Sequence, residues 1–415
     1  MGIKGLHVPA GTTPARFETT VATERPDLFT GPFSWPVMTL DESALTHNVT
    51  TMADFCARHG FDLAPHVKTH MSAGLWERQH EAGAWGATVA TADQLRKVRA
   101  WGTEHILLAN QLTDARELAW LAEQAIGAEG DEDLQVWLYA DSHAGVDLLA
   151  AHLAAPRVRE RVGVLIEFGH PGGRTGARTL AEVTALARAA EAAGLRVVGV
   201  SGYEGSVAKG TDPGDLAAVG DFCAALLQAA DAVAEEVPIE VPVLSVGGSS
   251  YLDVVESVLA HADVTERHRV VVRSGAYLSH DHGIYARSDP WSRMREPARL
   301  RPALRLWAQV LSVPEPGLVL CGAGRRDAPF DADLPIPLRV HAATGSSTGA
   351  GSARDLSGTT TRLNDQHLFL HTDDAVQVGE VIEFGISHPC TSFDKWPTLP
   401  LLREHRVVGL VHTEF

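Results

Sequence analysis

Short apolar runs alternate with Ala-rich amphipathic stretches through the middle of this 415-residue chain. The runs fall near residues 62–67, 86–90, 105–109, 135–140, 162–167, 196–201, 241–246 and 269–273. Between them lie segments such as 114–125, 143–154 and 179–193, each long enough for a crossover helix. Strands that alternate with helices predict a parallel sheet. Eight such units within roughly 210 residues predict an α/β fold of the (β/α)8, TIM-barrel type rather than an open doubly wound sheet. No GxGxxG follows the first strand to argue for dinucleotide binding.

The flanks read differently. Residues 1–36 are rich in Gly, Thr and Pro and read as an arm packed on the β-rich domain. Pro36–Leu40 reads as a strand, and Asp41 caps a helix through about Arg58 with Leu45, Val49, Met52 and Phe55 at helical spacing. The barrel segment is then 37–290. After it the long helical patterns stop, and short alternating segments (304–311, 318–320, 368–371, 381–384, 407–412) predict a β-rich domain over 291–415. Residues 344–361, small, polar and Gly-rich, read as a flexible or variable loop without chemistry.

Charge and cysteine content narrow the partners. A net charge of −17 disfavours nucleic acid or an anionic membrane, since both would repel this surface. No run of 18 or more apolar residues spans a membrane, and the first thirty residues lack a signal-peptide core. Four scattered cysteines without CxxC spacing do not form a disulfide framework, so a reducing cytoplasm is the expected compartment.

In such a barrel the chemistry sits on the loops after the strands. Lys68 follows the first run, next to His66. Its plain alternative is a surface lysine at a strand edge. Arg174 follows the fifth run, in EFGHPGGRTGA; it suits a cofactor ring or substrate, and equally a surface ion pair. Tyr203 follows the sixth as a stacking group or a core tyrosine. Gly247-Gly248-Ser249-Ser250 follows the seventh, where glycine amides and serine hydroxyls can receive a phosphate, or simply turn the chain and cap a helix. A lysine and a phosphate cup on one rim point to a phosphorylated aldehyde held as a Schiff base, for which pyridoxal phosphate is the fitting cofactor. In the second domain His388 and Cys390, two apart after an apolar strand, would share a face as zinc ligands; an exposed histidine beside a structural cysteine is the alternative. His280-Asp281-His282 is a rival site of equal spacing, and His367 and His371 are weaker candidates.

Taken together, PHVKTHMS, EFGHPGGRTGA, GYEGS, SVGGSS, VRSGAY, NDQHLFL and HPCTSFDKW resemble the fold-type III pyridoxal-phosphate enzymes, and among them the D-serine dehydratase/D-threonine aldolase family. The resemblance runs from about Pro36 to the C-terminus, and the lysine motif with the His-x-Cys is specific in combination because plain alanine racemases lack that pair. Departures are Met71 and Pro389, where other members often carry lysine and valine, and Glu167, where an aspartate is common. The resemblance implies Lys68 as the internal aldimine, the GGSS turn as part of the phosphate cup, and His388 with Cys390 as ligands of a divalent metal, zinc first and manganese or magnesium next. It also implies a homodimer in which one subunit's β domain approaches the other's barrel mouth.

The implied activity is a lyase on D-configured β-hydroxy amino acids. Dehydration of D-serine to pyruvate and ammonia, with D-threonine also accepted, comes first, because the resemblance associates cysteine with dehydratases. D-threonine aldolase and 3-hydroxyaspartate lyase are the alternatives. A non-catalytic pyridoxal-phosphate protein would lack the β domain. A metal-free racemase would want a tyrosine from the β domain, where none lies beyond Tyr285.

Overall fold

The computed structural model describes residues 4–127, 134–294, 298–342 and 353–415. A first strand, β1 (Val37–Asp41), precedes eight strands of one parallel sheet. These are β2 (Asp62–Leu63), β3 (Ala87–Val89), β4 (His105–Gln111), β5 (Gln135–Ala140), β6 (Val162–Phe168), β7 (Arg196–Gly202), β8 (Val243–Val246) and β9 (Arg269–Val272). All eight expected runs are strands. Their order is β2-β9-β8-β7-β6-β5-β4-β3. The ring closes between its first and last members: Trp85 N–H donates to Leu63 O at 2.8 Å, and Thr88 N–H to Pro65 O at 2.9 Å.

Period-two alternation explains why both faces of these strands are apolar. Leu107, Trp137, Tyr139, Leu165, Val198, Val243 and Val271 fill the barrel interior. Their neighbours Ile106, Leu108, Val136, Leu138, Val164, Ile166, Leu244 and Val270 face the surrounding helices. Each fully buried Leu, Ile or Val contributes about 1.5–3 kcal/mol of apolar burial. The helices are bounded by ordinary signals. Asp41 accepts the Ala44 N–H at 2.8 Å to start Glu42–His59, and Gly60 ends it at φ 66°. Thr179 and Glu182 form a capping box on Leu180–Ala192. The helix Pro213–Glu236, long and apolar enough by composition to cross a membrane, is the crossover between β7 and β8 and buries Val219, Phe222, Leu226 and Val233 at helical spacing.

The second domain is a mostly antiparallel sheet of β10 (Leu304–Glu315), β11 (Leu318–Cys321), β12 (Ile336–His341), β13 (Arg354–Asp355), β14 (Thr359–Leu363), β15 (Leu368–His371), β16 (Val381–Gly385), β17 (Thr398–Arg403) and β18 (Arg406–His412). Its main path is β13-β12-β16-β10-β1-β17-β18, and β11, β15 and β14 branch from the far half of β10. β1 therefore lies within this sheet, antiparallel to β10 and parallel to β17, although its sequence position assigns it to the barrel segment. The reason is physical: an apolar strand leading into a capped helix has the same local pattern in either sheet, and only its hydrogen-bond partners distinguish them. Phe17 and Val21 of the helix Pro14–Glu24 pack with Leu402 of β17 and Val407 of β18. Of the expected loop 344–361, residues 344–352 lie outside the described residues, whereas 354–355 and 359–361 are strand. Edge pairing with β12 and β15 orders those polar residues despite their composition.

Candidate active site

Between the C-terminal ends of the barrel strands and the second domain lies a cavity of about 480 Å³. Among its lining residues are His66, Lys68, Thr69, Glu167, Arg174, Tyr203, Gly247, Gly248, Ser249, Arg273, Tyr285, His388 and Cys390.

Lys68 sits on a 3₁₀ turn, Val67–Thr69, immediately after β2. The turn is closed by His70 N–H and Met71 N–H on Val67 O, with Met71 in the left-handed region at φ 40°. It aims the amine into the cavity, where solvent reaches it although protein surrounds it. Burial lowers the Lys68 pKa; the Cys390 thiol opposes that shift, and Arg174 and Arg273 reinforce it. Neighbouring His66 bonds Thr88 O through Nδ1 at 3.1 Å, and burial, aided by Lys68 and Arg273, holds its pKa well below the usual range. The ring is therefore neutral, with Nδ1 the donor.

Arg174 rides over the Tyr203 ring, 5.3 Å from its centroid. Its loop is rigid because Arg178 donates to the carbonyls of Thr175 and Gly176 at 2.7 Å and of Arg174 at 2.8 Å. Glu167, at the end of β6, accepts from Gln111 and from Thr175 Oγ1, and burial raises its pKa against those two hydrogen bonds. Gly247, at φ 94°, opens the turn after β8, and its N–H and that of Gly248 both point at the Glu204 carboxylate. The two amides that the sequence offers to an external anion thus already hold an internal one. Ser249 Oγ accepts the Ala276 N–H at 3.3 Å at the cavity wall. Ser250 is not among the lining residues: its hydroxyl meets Ser288 at 3.1 Å and its carbonyl accepts from Arg293.

The opposite wall comes from the second domain. His388 does not continue the pleat of β16, as the i, i+2 reading expects. It occupies a left-handed turn at φ 64°, and Cys390 opens the short helix Cys390–Phe393. Both reach the cavity because carboxylates hold the turn. Asp281 Oδ2 accepts the His388 N–H at 2.8 Å, and Asp331 takes His388 Nδ1 and the Thr391 hydroxyl. Cys390 Sγ donates to Thr69 Oγ1 at 3.5 Å, next to Lys68. The Cys390 side chain, and then Asp331, push His388 up to about 9 against the effect of burial. Within one chain the second domain meets the barrel mouth at this cavity.

Two family models match this architecture. Residues 40–278, more than half of the chain, match "Alanine racemase, N-terminal domain", and residues 303–402 match "Putative serine dehydratase domain". The chain belongs to the alanine racemase-like family of fold-type III pyridoxal-phosphate enzymes. A D-threonine aldolase of Arthrobacter sp. is 23% identical over 89% of this chain and 89% of its own length. A 3-hydroxy-D-aspartate aldolase of Paracoccus denitrificans is 24% identical over 72% of this chain and 74% of its own. The D-threo-3-hydroxyaspartate dehydratase of Delftia sp. HT23 shares the fold with a TM-score of 0.72 and 22% identity, covering 92% of this chain and 97% of the dehydratase.

The rival histidines do not line the cavity. His280 Nδ1 lies 2.9 Å from Asp281 O and its Nε2 faces Asp289 at 3.9 Å, while His282 packs on Gly385 with its pKa pushed down to about 3 by burial and Arg305. Asp281 is no free ligand, since Oδ1 accepts from Gly283 and Tyr285 N–H at 2.9 Å and from Ala286 N–H at 3.3 Å. His367 and His371 are exposed on the β11-β15-β14 branch and do not line the cavity.

Sequence reasoning places Thr69 and Arg273 at strand ends on the functional side without giving either a role, and it misses Tyr285 on the cavity wall and Asp331 behind His388. Arg273 is buried under the cavity, donating to Ser245 Oγ at 2.6 Å and Gly202 O at 2.7 Å. A signal for it existed, an arginine at the end of an apolar strand on the functional end of the barrel. Asp331 and Tyr285 carry no such signal, for each lies in irregular chain and enters the site only through tertiary contacts.

Proposed function

We propose that this protein is a pyridoxal-phosphate- and metal-dependent lyase acting on D-configured β-hydroxy amino acids, with dehydration of D-serine, and secondarily of D-threonine, as its principal reaction. The observation that carries this reading is the convergence of Lys68, His388 and Cys390 on one cavity.

The residues fit the cofactor. Glycines let the cavity-lining loops close on one another: a Cβ on Gly275 would lie 2.5 Å from His66 O, and one on Gly248 3.0 Å from Tyr203 Cε2. Lys68 supplies the amine, Arg174 and Arg273 the positive charge an anionic cofactor needs, and Tyr203 a ring face. Bound at Lys68, pyridoxal phosphate supplies an electron sink for charge that develops at Cα. The residues also fit a divalent cation. Among the described residues no group of three or more His, Cys, Asp or Glu side chains is set to hold a metal, so His388 and Cys390 would act as a pair and leave positions open. With Nδ1 engaged by Asp331, Nε2 is the nitrogen His388 keeps for a ligand. A cation there would polarise the substrate's β-hydroxyl.

The chain's own groups then divide the work. Lys68, whose neutral form burial favours, takes the Cα proton. Arg174 and Tyr203 hold their mutual geometry from the barrel side. Thr69, adjacent to Lys68 in the chain, anchors the Cys390 side chain, so groups of both domains face one bound substrate.

The D-threo-3-hydroxyaspartate dehydratase fold supports the dehydratase reading further, because mutants of that enzyme are known at a histidine and at a cysteine two positions later, the cysteine mutant in a metal-free form. The same residue types stand at the same spacing here. A second reading, retro-aldol cleavage to glycine and an aldehyde, is supported by the two aldolase relatives. Incubation with D-serine, D-threonine and D-3-hydroxyaspartate, assaying 2-oxo acid, ammonia, glycine and aldehyde separately, tests both. Ammonia and 2-oxo acid in equal amounts are expected; glycine with aldehyde as the main products would replace dehydration by the aldolase reading.

A further inference from the structure

The loops after β7 and β8 meet through one buried carboxylate. Glu204 opens the 3₁₀ turn Glu204–Ser206 and is 0% exposed. Its Oε2 accepts the Gly247 N–H at 3.0 Å and its Oε1 the Gly248 N–H at 2.5 Å. Two consecutive amides converging on an anion form the concavity that binds phosphate in other proteins; here the anion belongs to the chain itself. The following segment is fixed as a result. Gly248 is held at its N–H by Glu204 and at its carbonyl by the Ser274 hydroxyl, 2.5 Å away. Ser249, the next residue, thereby presents its Oγ to the Ala276 N–H on the cavity wall.

We propose that Glu204 is a positioning residue for the phosphate end of the cofactor. It occupies the amides of Gly247 and Gly248 as an internal counter-anion, and by clamping them it places Ser249 against Ala276 as the wall that receives the phosphate. The two amides neutralise the carboxylate, which lets a negative side chain stand behind a site for a second anion. The alternative arrangement, in which the carboxylate gates the cup and must be expelled by phosphate, would require a fully buried side chain to leave its pocket. This inference rests on the cofactor reading above.

The test is titration of the apo protein with pyridoxal phosphate and, separately, with pyridoxal, following the absorbance of the bound aldehyde. The two probes differ only in the phosphate. Glu204→Gln keeps the shape but turns an NH2 against one of the two glycine amides. It is expected to weaken pyridoxal phosphate by about 10- to 100-fold while pyridoxal stays within about twofold of wild type. Ser274→Ala loosens the clamp from the other side, since it removes the hydroxyl that donates to the Gly248 carbonyl at 2.5 Å, and it should lower the same phosphate preference. It carries the test if Glu204→Gln does not fold. Unchanged or tighter pyridoxal phosphate binding in the variants would overturn the proposal, and so would an equal loss for both probes, which would mark a general loosening. If the wild-type protein bound neither probe, the cofactor reading itself would fail, an outcome separate from any change in the ratio.

Discussion

The two walls of the cavity are built on different principles. On the barrel wall Lys68, Arg174, Tyr203 and Arg273 all stand on segments that follow the C-terminal ends of parallel strands, so the register of the sheet sets where each segment starts. On the opposite wall His388 and Cys390 stand on a turn that no ladder fixes. Asp281, 107 residues earlier, and Asp331, 57 residues earlier, hold it in place. The barrel wall is thus preorganised by the core, and the second wall by individual carboxylates. A substitution on the first should abolish chemistry without moving the fold. A substitution behind the second should loosen a ligand set while the barrel chemistry persists.

The largest effect is expected at Lys68. Lys68→Ala should reduce turnover by at least about 10³-fold and remove the absorbance of aldehyde bound through the amine, with little change in thermal stability. Activity that survives with that absorbance intact would break the comparison at its centre. Next is His388→Ala, or chelation of the wild type. Either should cost about 10²- to 10³-fold in turnover while leaving cofactor absorbance in place, and metal should restore the chelated enzyme but not the variant. Full activity after chelation would exclude the metal role.

A smaller effect should follow behind the turn. Asp331→Asn should weaken metal binding by about 10- to 100-fold, measured by competition with a chromophoric chelator. The pH dependence has a definite sign. His388 is pushed up to about 9, so below that pH the apo ring carries a proton that a metal must displace, and metal affinity should rise with pH until about 9. Affinity that is flat over this range would remove His388 from the ligand set. The smallest effect is expected from Asp281→Asn, which trades a carboxylate that accepts four backbone N–H groups for an amide. It should cost about 1–3 kcal/mol in urea unfolding, and metal affinity should suffer more than cofactor affinity.

Much of the barrel wall was legible in the chain. Lys68, Arg174 and Tyr203 could be nominated because a strand pattern tells where each strand ends, and barrel function gathers at those ends. The turn Gly247-Gly248-Ser249 was found the same way, yet the occupant of its amides was not, since nothing local pairs Glu204 with a turn more than forty residues away. His388 and Cys390 were found as residue types at a suggestive spacing. The strand geometry assigned to them was wrong, because a left-handed turn leaves no trace when the residue in it is not glycine. The rival His280 and His282 had equal standing in sequence, and only the fold separates them from His388 and Cys390, which line the cavity while the rivals do not.

By itself the sequence determined the alternation of elements, the change from barrel to β-rich texture, and the lysine at the rim, since periodicity and capping act over a few residues and are written where they act. The tertiary structure alone decided that β1 joins the second sheet, that Asp331 and Tyr285 belong to the site, and that Glu204 takes the glycine amides. Each of those outcomes depends on hydrogen bonds or packing between groups far apart in the chain, and short-range pattern carries no information about such partners.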